Sequence, residues 1–186
     1  MSIKLKKFKK IVLNINVFVK QYNFNDQYYK KAFVRILNND VDTYLNYKNF
    51  KLISKYFHKF NNRRVLDLGC GLGDKSILLK ELFPSFEVFG LETTNYDDPD
   101  HVEHRPHLFF EKIYPFINKE YNINLGFYDG LNIPFEDNFF DIILLYAVIE
   151  HIAPGNRKIF IDTISKKLKK NGYIVITRCP RYWGLM

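Results

Sequence analysis

VLDLGCGLGD, Val65 to Asp74, is the stretch on which the reading of this chain turns. Val65, Leu66 and Leu68 make a short apolar strand, and Gly69, Gly71 and Gly73 follow at alternate positions. Glycines there allow positive φ and let a ligand approach the backbone closely. SILLKELF, Ser76 to Phe83, then reads as a helix whose first amides face that ligand. The spacing is not GxGxxG, the dinucleotide fingerprint. Asp67, two residues before the first glycine, suits a cationic ligand carrying an ammonium group and opposes a pyrophosphate.

Downstream, strands and helices alternate. FEVFGLE (86–92) is a strand, and 93–106 is polar and reads as a loop. HLFFEKIYPFINKEY (107–121) is a helix that Pro115 is expected to kink or restart. INLGFYD (123–129) and IILLYAV (142–148) are strands. Residues 156–172 read as an amphipathic helix stopped by Asn171-Gly172, and YIVIT (173–177) is a fifth strand. The alternation implies an α/β fold, a Rossmann-like, doubly wound, mainly parallel sheet. Two further acids close strands at the same edge. Glu92 can reach the ribose hydroxyls of an adenosine, and Asp129, before Gly130, can accept from the adenine amino group.

With these residues in place the chain resembles the class I S-adenosylmethionine (SAM)-dependent methyltransferases, notably the ubiquinone/menaquinone-biosynthesis type. The matching segments are VLDLGCGLGD, GLE, YDGLNIPFEDNFFDIILLYAVIEHI and LKKNGYIVIT, within 56–177. The resemblance implies SAM as cofactor, with S-adenosylhomocysteine as product. It implies that Asp67, Gly69 and Gly71 hold the methionine end, that Glu92 binds the ribose, that Asp129 and Gly130 flank the adenine, and that Tyr146 lies beside the sulfonium. His151, in IEHI, is the candidate base for an oxygen acceptor. The expected function is methyl transfer to a small-molecule acceptor such as a sugar, a lipid-linked intermediate or another metabolite. The alternatives are a non-catalytic SAM-binding scaffold and an RNA or protein methyltransferase. An NAD-dependent dehydrogenase is disfavoured by Asp67 and the glycine spacing.

Two segments depart from the family pattern. TTNYDDPDHVEHRP (93–106) places acids beside His101 and His104, with His107 just beyond. Its prolines and polarity favour a loop that closes over cofactor or substrate rather than a metal site, so no metal is expected. The family fold also continues with a strand hairpin beside the fifth strand, whereas RCPRYWGLM (178–186) gives no room for one. Strand five is therefore expected to be an exposed edge, in a truncated chain or one covered by self-association or a partner.

Composition bounds the rest. The 186 residues are 47% hydrophobic, enough for one core, and the domains are read as 1–60, a basic arm and helical extension or lid, and 61–186, the Rossmann-like domain. The net charge is +8, and the first twenty residues hold six lysines and no acid. That arm is read as solvated, with nucleic acid or a peripheral membrane contact as the less favoured partners. Two cysteines make no disulfide framework, and no run is long enough to span a bilayer, so a cytoplasmic setting is expected.

Overall fold

The structure, a computed structural model, describes Phe57, residues 62–94 and residues 106–177. The basic arm, nearly all of the expected helical extension and residues 95–105 of the expected 93–106 loop lie outside the described residues, as does RCPRYWGLM. The elements are β1 (Arg64–Leu68), α1 (Asp74–Leu82), β2 (Glu87–Thr93), α2 (Pro106–Tyr121), β3 (Asn124–Tyr128), β4 (Phe140–Tyr146), two 3-10 turns (Ile149–His151 and Pro154–Asn156), α3 (Arg157–Lys166) and β5 (Leu168–Thr177). Among the described residues no helix is long and apolar enough to cross a membrane.

All four strand pairings are parallel, in the order β3-β2-β1-β4-β5. This is the Rossmann-like α/β sheet expected from the alternation of elements. The chain runs outward from β1 in one direction through β2 and β3, then crosses back to add β4 and β5. The gap beside the carboxyl end of β1 is thus the topological switch point, where open α/β sheets bind ligands. The glycine loop 69–73 lies at that point.

Residue alternation along β1 and β4 splits the core between the two faces of the sheet. Val65, Ile142, Leu144 and Tyr146 pack with Ile77, Leu79, Ile113 and Ile117 of α1 and α2. Leu66, Leu68, Ile143 and Leu145 pack with Phe140 of β4 and Ile164 of α3 on the other face. Burying a side chain of this size contributes roughly 1.5–3 kcal/mol. Phe57 reaches the first cluster and meets the Phe83 ring edge-on at 5.8 Å.

Two local expectations are corrected. Pro115 lies inside a continuous α2 rather than restarting it. Pro115 is exposed, so the carbonyl that loses its helical partner can be solvated there. The helix expected over 156–172 ends at Lys166, and Leu168 already pairs with Phe140 of β4. Asn171 takes a left-handed φ of +67°, and the register shifts between Phe140 and Ile142. Asp141, at that irregularity, accepts from the Arg64 amide (2.9 Å), Arg63 (2.8 Å) and Lys169 (2.9 Å). Burial pushes its carboxyl up, but those three donors outweigh it and hold the group below the usual range. Among the described residues β5 is the outermost strand on its side, with Tyr173 and Ile176 exposed.

Candidate functional site

The carboxyl ends of β1 to β4 bring together Asp67, the glycine loop, Glu92, Asp129 and Tyr146. The loop continues the sheet's pairing for two residues, as the Gly69 and Cys70 amides donate to Leu91 O at 2.8 and 3.1 Å. Gly73 N then donates to Cys70 O (2.9 Å) and the chain enters α1, whose first turn has no side-chain cap. Uncapped first-turn amides are donors open to a ligand.

Two loop glycines have different tasks. A β-carbon on Gly69 (φ +78°) would stand 2.6 Å from Val148 Cγ2, so this glycine lets the β1 and β4 loops touch. A β-carbon on Gly71 (φ +52°) would meet no atom of a described residue within 4 Å. Gly71 is therefore where the loop opens onto space. Its amide donates to Glu92 Oε2 at 2.6 Å, and its carbonyl accepts the Tyr114 hydroxyl.

Glu92 is only 8% exposed. Besides the Gly71 amide, it accepts from the Thr93 amide through Oε1 at 3.0 Å.

Asp67 lies beneath the loop, 1% exposed. Its Oδ2 accepts from Ser76 Oγ at 2.7 Å, while Oδ1 is buried with no hydrogen-bond partner. Burial drives its pKa up to about 6, opposed by the Ser76 bond and by the Lys75 charge. A buried carboxylate left half-satisfied is costly, and such groups concentrate at functional sites.

Lys75 supplies the opposite charge. Its ammonium pairs with Asp74 at 2.8 Å and lies 5.1 Å from the Tyr146 ring centroid. Burial lowers its pKa, but Asp74 chiefly, with Asp67, outweighs that and keeps it protonated. Three buried carboxyl groups, Asp67, Asp74 and Glu92, thus surround the loop beside this one lysine. The edge suits a ligand of net positive charge.

Asp129 is exposed and binds its own turn. Oδ1 accepts from the Leu131 (2.8 Å) and Asn132 (2.6 Å) amides, and Oδ2 from Asn132 Nδ2 (2.7 Å). These bonds hold its carboxyl below the usual range. Gly130 follows with φ +86°, completing the turn. Tyr128, just before, has its phenol pushed up to about 12 by burial, then by Glu92 and Asp129. Tyr146 is buried at the end of β4, and His151 stands exposed on the first 3-10 turn after it. Among the described residues no group of three or more His, Cys, Asp or Glu is arranged to hold a metal ion. His101 and His104 lie outside the described residues.

Sequence reasoning did not single out Tyr114, Ser76 or Lys75. Tyr114 and Ser76 act across the fold, and only Lys75, a cation two residues past the last loop glycine, carried a readable signal.

Known proteins share this fold. A family model described as a methyltransferase domain matches residues 41–183. No curated protein matches the chain. Among solved structures, the PH0226 protein from Pyrococcus horikoshii OT3 is 24% identical, with a TM-score of 0.50 over 82% of this chain and 58% of its own. Phosphoethanolamine N-methyltransferase 2 from Haemonchus contortus, solved in complex with S-adenosyl-L-methionine, is 20% identical, with a TM-score of 0.53 over 69% of this chain and 27% of its own. The [4+2]-cyclase SpnF is 17% identical, with a TM-score of 0.52 over 69% of this chain and 43% of its own. The chain thus spans well under two thirds of the length of each of these structures, and at such identities the likeness is one of fold. With 41–183 matched, most of its length, the chain belongs to the methyltransferase domain family.

Proposed function

We propose that this chain binds SAM across the carboxyl ends of β1 to β4 and acts in methyl transfer to a small-molecule acceptor. The observation that carries the reading is the open backbone of Gly71 above the half-satisfied, buried Asp67. A cationic ligand at that loop relieves a charge the fold holds at a cost, whereas a dinucleotide pyrophosphate adds to it.

The residues present fit the cofactor. Glu92, oriented by the Gly71 and Thr93 amides, would bind the ribose hydroxyls. Gly71 leaves room for close approach at the methionine end, Gly69 shapes the turn, and Asp67 acts as a buried negative charge below both. The Asp129–Gly130 turn would border the adenine, and Tyr146 the sulfonium. When bound, SAM supplies a methyl group on a cationic sulfur to an in-line nucleophile. The chain's part is to orient the reactants and exclude water. For an oxygen acceptor, His151 is the residue proposed to take the proton.

In this reading residues 61–186 are the cofactor domain and 1–60 a basic extension. Since a [4+2]-cyclase shares the fold, a SAM-binding role without methyl transfer is the second reading. Thermal-shift titration with SAM, S-adenosylhomocysteine and NAD tests the first step. Stabilisation by the first two alone supports it. Stabilisation by NAD alone would overturn it. Transfer of isotope-labelled methyl from SAM to an acceptor then separates enzyme from binder.

A further inference from the structure

Gly71 is gripped from two sides, and only one of the grips belongs to the site as read so far. Its amide is held by Glu92, at the end of β2. Its carbonyl is held by Tyr114, which stands in α2 at 43 positions' remove. Resting on the SAM-binding reading above, we infer that Tyr114 is a positioning residue for the cofactor loop. Its hydroxyl fixes the plane of the Gly71–Leu72 peptide and so presets the loop at Gly71, where a β-carbon would meet no described residue within 4 Å.

The surroundings of Tyr114 suit that task. The residue is 3% exposed. Its ring stacks with Phe110, 5.5 Å away and 4° from parallel, and with Phe127, 5.1 Å away and 21° from parallel. Phe127 is the β3 residue in register with Glu92 of β2. The ring thus packs on the strand whose neighbour carries the other grip. Two stacked partners leave a tyrosine little rotamer freedom, so its hydroxyl is delivered to a fixed point.

The direction of the hydrogen bonds is settled by chemistry. A carbonyl only accepts, so the single Tyr114 hydroxyl proton goes to Gly71 O. Cys70 Sγ, 3.5 Å from the same hydroxyl, must then be the donor to it. Burial first, then Asp67 and Glu92, raise the Cys70 pKa, so its thiol keeps the proton this requires.

A glycine with no side-chain contacts has broad freedom at φ and ψ. Without the Tyr114 grip, the Gly71 peptide can rotate about the Glu92 tether, and SAM binding must then freeze it. The fold's core needs the aromatic ring. The loop needs the oxygen.

Tyr114→Phe separates the two, since it keeps the stack and removes only the hydroxyl. SAM affinity measured by calorimetry on the full chain is expected to fall about five- to tenfold, as for loss of one hydrogen bond. The Leu72 amide, whose nitrogen shares the Gly71 carbonyl, is expected to shift in the NMR spectrum even without SAM. Phe57→Leu is the control, a core change away from the loop that lowers melting temperature without moving SAM affinity or the Leu72 signal. Wild-type affinity and an unmoved Leu72 amide in Tyr114→Phe would overturn the inference. So would equal loss of affinity in Phe57→Leu, which would make the effect one of general stability. If the wild-type chain binds no SAM, the SAM reading fails, and the Leu72 shift alone still decides whether Tyr114 positions the loop.

Discussion

Replacing Asp67 by Asn is expected to make the protein more stable at neutral pH and no more stable in acid. The carboxyl is buried, and its pKa rises from 3.8 to about 6 on folding. Folding therefore favours the protonated form. The carboxyl's contribution is fully present below about pH 4 and is lost as pH rises through about 6. A shift of about two units corresponds to about 3 kcal/mol, the upper limit of what the ionised carboxylate costs the native state at pH 8. Asn keeps an acceptor for Ser76 and carries no charge. Urea unfolding of wild type and Asp67→Asn at steps from pH 4 to 8 measures the difference. The variant's advantage should grow between pH 4 and 6 and level off above 7. Saturating SAM should shrink the advantage, because a bound cation stabilises the ionised carboxylate. Parallel pH profiles, or a wild type that gains on the variant as pH rises, would refute the reasoning.

Further outcomes follow from the same geometry. Gly69→Ala drives a methyl group against Val148 at φ +78° and should cost about 2–4 kcal/mol of stability. Gly71→Ala meets no atom of a described residue, so it should cost only about 1 kcal/mol while SAM affinity drops at least roughly tenfold. Paired melting and calorimetry distinguish the two glycines. Asp141→Ala removes three donors' common acceptor and should cost about 2 kcal/mol at pH 7. Its folded pKa lies below 3.8, so that contribution holds above pH 4 and fades as pH falls through the folded value. Denaturation at pH 3 and pH 7 checks the sign. If the acceptor atom is oxygen, His151→Ala should lower turnover by about a hundredfold or more and leave SAM affinity unchanged.

The sheet was legible because its strands are buried on both faces and read as apolar runs bounded by glycine or polar turns. The five strands and their helices therefore stood out from composition and spacing. Residues 167–172 did not, because lysines alternating with a leucine satisfy a helix terminus as well as an edge strand. Pairing of Leu168 with Phe140 decides between them, and that is a tertiary event. The acids at the sheet edge were visible as a set, but their depth was not. Nothing local says that Asp67 lies under the loop. For Asp129 a signal existed, since Asp-Gly-Leu-Asn is a sequence in which the acid bonds amides two and three residues on. Tyr114 had none. In a helix already rich in Phe and Ile, an aromatic that reaches a backbone carbonyl far away in sequence looks the same as one that fills the core.

The most direct test of the account is a calorimetric titration of SAM into the wild-type chain beside Glu92→Ala. The account predicts one site per chain with a dissociation constant roughly in the micromolar range, weakened at least tenfold by the substitution. A folded wild-type chain that binds no SAM, or a Glu92→Ala variant that binds it equally well, would contradict it.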